Sequence, residues 1–224
     1  MISRVVLATH NRKKLAELRR ILDDIGLSVE VLGLDDVASY PEPEEAEASF
    51  EGNALLKARE AVRRTGLPSL ADDSGIEVEA LNRMPGVRSS RWAGPDASDD
   101  DNVALLVRQL VDVPNERRHA RFVCVMALVH PDGAERLARG VLEGRLAPEP
   151  RGANGFGYDP VFVPVGHDRT TAEMSPDEKD AISHRGQAAR EMARIITDIN
   201  VISALVDDDE DGEDGEGTDE GRPA

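Results

Sequence analysis

Thr9-His10-Asn11-Arg12-Lys13-Lys14 lies between an apolar run and a helical pattern, so free backbone N–H groups, the positive end of a helix dipole and three cations meet at one point. Basic residues oppose the dipole at a helix start unless something negative binds there, and the chemistry predicted is anion binding. The competing reading is a solvated turn with basic side chains lying along its surface. No Gly-Lys pair occurs in the chain and no glycine of the dinucleotide fingerprint follows the run, so this is neither a Walker loop nor a dinucleotide site.

Asp72-Asp73-Ser74-Gly75 closes a second apolar run. Side chains alternate along a strand, so the two aspartates face opposite ways and only one points easily into a given site. Asp73, beside the apparent turn, is the better candidate. A carboxylate near phosphate-binding cations is a hard-oxygen ligand for Mg2+, which takes one or two protein carboxylates plus substrate oxygens and water. Glu44, Glu45 and Glu47, in the acidic loop before Phe50, are the options for the second.

Gly152 to Pro160 gathers three glycines with Phe156 and Tyr158. Glycine lets backbone approach a ligand, and an aromatic ring offers a face to a planar base; a long loop connection has the same composition. Lys179, His184 and Arg185 form a further basic trio. Cys124 sits among Phe122, Met126 and Leu128 on an apolar strand face and reads as a buried, inert thiol. His10, His119, His130 and His167 show no metal-ligand spacing to one another.

The elements that must position these groups are mixed α and β. Ile2 to Ala8 reads as a buried strand; Leu15, Leu18, Leu22 and Ile25 then recur at helical spacing until Gly26. Val29 and Val31 alternate as a second strand. A helix follows with Phe50, Ala54, Ala58, Ala61 and Val62 on one stripe and Gly66 as its stop. Pro68 to Asp72 reads as a short strand ending at Asp73-Ser74-Gly75, and Ile76 to Leu81 as another. Ser98 before Asp99, Asp100 and Asp101 starts a helix whose apolar face is Val103, Leu106, Val107 and Leu110. His119 to Val129 and Glu135 to Arg145 form a hairpin about Pro131-Asp132-Gly133. Val161 to Val163 follows the glycine-rich loop, Ser175-Pro176-Asp177-Glu178 is a capping box, and a last helix runs from Gly186 to Val206 with Ala189, Met192, Ile196, Ile199, Ile202 and Leu205 on its buried side.

The chain has 224 residues and a formal charge of -17. Ten acidic residues and one arginine lie in 207–224, leaving only -8 on residues 1–206. One folded domain over 1–206 and a disordered acidic tail over 207–224 are expected, since the tail has no apolar surface to offset its ordering entropy. A single cysteine excludes an internal disulfide and a cysteine-based zinc cluster. An acidic chain lacks the electrostatic footprint of a nucleic-acid-coating surface. No apolar run suits a signal peptide or a membrane span, so the expected compartment is the cytoplasm, with no membrane partner.

Taken in order, Ala8-Thr9-His10-Asn11 with Lys14, Ser49-Phe50 with Asn53-Ala54 and Lys57-Ala58, Ala71-Asp72-Asp73-Ser74-Gly75, Pro85-Gly86-Val87, Gly155-Phe156-Gly157-Tyr158-Asp159-Pro160, and Lys179 with Ser183-His184-Arg185-Gly186 resemble the inosine/xanthosine triphosphate pyrophosphatases. The resemblance runs from about Val5 to the last helix. It implies an elongated α/β fold with a mixed β-sheet flanked by helices, a homodimer, and a Mg2+-dependent hydrolase that cuts dITP, ITP and XTP to the monophosphate and pyrophosphate. It further implies that Thr9, His10, Asn11, Arg12, Lys13, Lys14 and Lys57 hold the triphosphate and that Asp73 is catalytic and binds metal with Glu45. Ser74 touches substrate, while Phe156, Gly157, Tyr158, Asp159, Lys179, His184 and Arg185 line the pocket, mostly around the base. Two positions depart from the family pattern: Lys13 stands where glycine is common, and Gly52 where a glutamate precedes the helix asparagine. The nearest alternative is a pyrophosphatase for pyrimidine or modified nucleotides; a different class is a non-catalytic nucleotide-binding scaffold whose tail recruits a partner.

Overall fold

The computed structural model describes residues 1–9, 11–26, 29–37, 40–41 and 43–210, the side chains of 13 and 205–210 excepted. Its frame is a mixed sheet of seven strands: β1 (Arg4–Leu7), β2 (Glu30–Leu32), β3 (Ser69–Val78), β4 (Met84–Pro85), β5 (His119–Val129), β6 (Glu135–Leu146) and β7 (Phe162–Pro164). The order is β2-β1-β3-β5-β6-β7, with β4 added to the far end of β3. β1 runs parallel to β2 and β3, and the remaining pairs are antiparallel.

Among the described residues five α-helices pack on this frame: α1 (Arg12–Ile25), α2 (Phe50–Thr65), α3 (Asp99–Gln109), α4 (Pro176–Ile182) and α5 (His184–Glu210). Leu18, Ile21 and Leu22 of α1 and Ala189, Met192 and Ile196 of α5 bury one face of the sheet against Leu7, Leu70 and Met126. The stripe Phe50, Ala54, Ala58 and Ala61 of α2 buries the opposite face against Val123 and Val125. Small alanines let that helix lie close to the strands. α2 is capped by Ser49, whose hydroxyl accepts from Gly52 N–H, and stopped by Gly66 at φ 69°. Ser98 with Asp101 and Ser175 with Glu178 close capping boxes on α3 and α4.

Three expectations are corrected. Asp73-Ser74-Gly75 is no turn: β3 is one strand whose ten residues pair in register with β5, from Ser69 opposite Val129 to Val78 opposite Ala120. Gly75 serves close approach, because a Cβ there would lie 2.4 Å from Gly86 O and 2.5 Å from Ser89 Oγ. Ile25 and Ile202 are exposed, and Ile21 occupies the core position instead. The last helix runs from His184 to Glu210 rather than from Gly186 to Val206; residues 211–224 of the expected tail lie outside the described residues.

Candidate active site

β3 touches β1 only through Ser69 and Leu70, so the edge beyond Leu70 is left open where β1 ends. Thr9, Asn11 and the start of α1 lie beside that free edge, the arrangement in which ligands bind beyond the carboxyl ends of parallel strands. Thr9 Oγ1 accepts from Asn11 N–H (3.2 Å) and Asn11 Oδ1 accepts from Lys14 N–H (3.2 Å), so Asn11 caps α1. Thr9, Asn11 and Lys14 line the cleft. Arg12 does not: its side chain is exposed and lies 3.8 Å from Asp35. His10 and the Lys13 side chain fall outside the described residues.

The two aspartates do face opposite ways: Asp73 lines the cleft, and Asp72 stands behind two of its cations. Asp73 turns to the α2 side and lines the cleft; its Oδ2 accepts from Asn53 Nδ2 (2.9 Å) and its Oδ1 lies 3.8 Å from Lys57 Nζ. Burial, helped by the charge of Glu45, outweighs Lys57 and Asn53 and pushes this carboxyl up to about 6. Asp72 turns to the α1–α5 side, where its Oδ2 is 3.0 Å from Lys14 Nζ and 3.7 Å from Arg185 Nε and accepts from Ser74 Oγ (2.8 Å). Burial alone would raise it, but Lys14, Arg185 and Lys57 hold it far below the usual carboxylate range. Lys14 and Arg185 in turn line the cleft.

Glu45 also lines the cleft. One oxygen is 2.9 Å from Lys57 Nζ and the other 2.9 Å from Arg91 Nη1, and these cations hold Glu45 ionised against the penalty of burial. Lys57 is itself buried; desolvation would discharge it, and Asp72, Asp73 and Glu45 keep it charged. Glu44 and Glu47 do not line the cleft. Among the described residues no group of three His, Cys, Asp or Glu side chains converges. Glu45 and Asp73 thus offer two hard oxygens, the donor set that suits Mg2+ completed by substrate and water and does not suit a soft metal.

The other end of the cleft carries Phe156, with Lys179 Nζ 5.1 Å and Arg185 Cζ 5.4 Å from its ring centre. The glycine-rich loop is pinned by Asp159, which accepts from Lys179 Nζ (2.6 Å), Phe156 N–H (2.9 Å) and Thr171 Oγ1 (2.7 Å). Tyr158 donates to Ser89 O (2.8 Å), and Gly157 N–H to Asp99 Oδ2 (2.8 Å) across the cleft. His184 opens α5 with its ring stacked on Phe122, centroids 4.8 Å apart. Burial first, then the Arg185 charge, keep it neutral. Arg185 pairs with buried Glu17 of α1. Cys124 is buried, and burial pushes its thiol up to about 12, so it is inert.

The structure therefore gathers Thr9, Asn11, Lys14, Glu45, Lys57, Asp73, Ser74, Phe156, Gly157, Tyr158, Asp159, Lys179, His184 and Arg185 around one cleft. Sequence reasoning passed over Asn53, Asp72, Glu17 and Arg91. Asn53 carried a signal, since a poor helix former sits one turn before Lys57 on an otherwise apolar stripe. Arg91 carried none: it reaches Glu45 from a distant 3-10 turn.

Compared with known proteins, residues 5–195 match the Ham1 family. A dITP/XTP pyrophosphatase of Cutibacterium acnes is 58% identical over 84% of this chain and 94% of its own length. One of Nocardia farcinica is 53% identical over 92% and 98% respectively. The solved structure of a HAM1 protein from Coxiella burnetii superposes with a TM-score of 0.80 at 44% identity, covering 88% of this chain and all of that one.

Proposed function

The chain belongs to the Ham1 family, and from that membership we propose that it hydrolyses dITP, ITP and XTP to the monophosphate and pyrophosphate, removing them from the nucleotide pool. The observation that carries the reading is the buried Asp73 carboxyl, held by Asn53 at one end of a cleft whose other end presents an aromatic face between two cations. An aspartate near its ordinary value of about 4 is a weak base at neutral pH. Raised to about 6, Asp73 stays ionised at neutrality yet accepts a proton more readily.

In this reading Thr9, Asn11 and Lys14 hold the phosphate chain together with Lys57, and the two lysines neutralise charge that grows on the leaving pyrophosphate. Asp73 orients a water in line with that leaving group and takes its proton, while Asn53 fixes the rotamer from which it does so. Glu45 and Asp73 would hold Mg2+, which when bound supplies further charge neutralisation and acidifies water. Arg91, outside the original candidate set, keeps Glu45 aimed at the cleft.

Phe156 stacks on the base and Lys179 and Arg185 direct donors at its edge. A 6-keto oxygen satisfies such donors, whereas the 6-amino group of adenine would set donor against donor. Cytoplasmic location and assembly as a homodimer complete the reading; light scattering of the purified chain measures the second. Among the described residues no helix is long and apolar enough to cross a membrane. The test is a panel of ITP, XTP, GTP and dTTP with pyrophosphate detection. ITP and XTP are expected to turn over well ahead of the others, and equal turnover of GTP and ITP would overturn the stated specificity.

A further inference from the structure

In the nucleotide reading Lys14 faces the phosphates and Arg185 the base, and both lean on the same oxygen. Asp72 Oδ2 is 3.0 Å from Lys14 Nζ and 3.7 Å from Arg185 Nε. The two claims are unequal. Lys14 makes a close ion pair, while Arg185 Nε is buried without a hydrogen-bond partner among the described residues and lies just outside bonding distance of that oxygen. Nη1 of the guanidinium is already anchored on Glu17. Asp72 is buried and the same Oδ2 also accepts from Ser74 Oγ at 2.8 Å, so that oxygen serves one cation closely at a time.

We propose that Asp72 is a positioning residue that couples the phosphate end of the cleft to the base end. The inference rests on the nucleotide reading above. When a polyphosphate draws the Lys14 ammonium into the cleft, Asp72 Oδ2 loses its close cation and turns to Arg185 Nε. The guanidinium is then fixed on two carboxylates, Glu17 at Nη1 and Asp72 at Nε, with its remaining edge presented to the base. Phosphate binding thereby prepares the base site. Linkage requires the reverse as well: a base bound to Arg185 tightens polyphosphate binding by the same factor. An enzyme wired this way reads the base most stringently when a triphosphate is attached, and holds the free nucleoside weakly.

The coupling is measured with the two halves of the substrate as separate probes. The dissociation constant of inosine is determined by calorimetry with the full chain, alone and with saturating inorganic tripolyphosphate. Tripolyphosphate is expected to tighten inosine about tenfold in the wild type, within the usual range for coupled sites. In Asp72→Asn, which keeps the shape and the Ser74 contact, the two constants become equal. Lys14→Met acts in the opposite sense: Asp72 is left with Arg185 as its neighbouring cation, and inosine alone binds as tightly as it does to the wild type with tripolyphosphate. A merely structural role for Asp72 weakens inosine under both conditions and leaves the ratio intact. An unchanged ratio in Asp72→Asn, or inosine binding to Lys14→Met no tighter than to the wild type alone, overturns the coupling while the nucleotide reading stands. No inosine binding to the wild type with tripolyphosphate overturns both.

Discussion

Gly140 of β6 provides a direct test of how the sheet sets the geometry of the cleft. A Cβ built there would lie 1.9 Å from the backbone oxygen of His184 and 2.8 Å from Ala188 N, the first turn of α5. Real Cβ contacts stay above 3.0 Å, so Gly140→Ala drives that turn off the sheet by about 1 Å. The turn is hydrogen-bonded backbone and cannot yield as a flexible side chain would. Overpacking of this kind costs about 1–3 kcal/mol of stability. The larger consequence falls on function, because His184 and Arg185 ride on the displaced turn and a shift of about 1 Å at a reacting site costs on the order of a hundredfold in rate. The assay pairs urea unfolding with kcat/KM for ITP per folded molecule. Ile196→Val, lower on the same helix and fully buried, serves as the control; it loses about 1 kcal/mol through a small cavity and should keep kcat/KM. If Gly140→Ala turns over ITP as the wild type does, or if the control loses activity in proportion to its stability, the geometric reasoning fails.

Asp73→Asn should lower ITP turnover by about 10²–10⁴-fold, the usual worth of a positioned base. The same change should raise stability at pH 8 by up to about 3 kcal/mol, since a carboxyl lifted to about 6 is costly to keep ionised in the fold; urea midpoints measure it, and a loss of stability would contradict the burial argument. His184 is buried neutral while the unfolded chain takes up its proton near 6.5, so its contribution is whole above that value and is lost as pH falls below it. Asp73 works in the opposite sense from about 6 downward, because there the fold binds the proton first. The His184 part is isolated by difference: between pH 7 and pH 5 the wild type should lose up to about 2 kcal/mol more than His184→Phe, and equal losses would refute it. Chelation should abolish pyrophosphate release and Mg2+ restore it; full activity after chelation would remove the role given to Glu45 and Asp73.

Much of this molecule is written locally. The hairpin strand His119–Val129 has the bounds its alternation predicts, and α2 ends at the Gly66 that the sequence marks as its stop. Ser98 and Ser175 cap the helices they were expected to cap. These signals live within a few residues of their effect. What was not legible depends on partners far along the chain. Asp73-Ser74-Gly75 has the composition of a turn, but pairing with the whole of β5 and the approach of Gly86 and Ser89 hold it extended. Ile25 and Ile202 fit their helical stripes yet fall where no neighbour covers them. At the cleft the residues that face it were largely identifiable by type and position. Those standing behind them, Glu17 under Arg185 and Arg91 on Glu45, come from segments with no sequence relation to their partners.

The uninterrupted course of β3 also governs which kinds of mutation the gene can accept there. Its side chains change sides at every residue, so inserting or deleting a single codon between Ser69 and Asp72 would exchange the two aspartates, sending one toward α2 and the other toward Lys14 and Arg185 in the wrong order. Substitutions along the strand can be repaired one at a time; a change of length cannot, because it rewires both halves of the cleft together. Drift in length is confined to places such as the Pro131–Gly133 turn, where the hairpin ends in solvent and an added residue alters no register upstream.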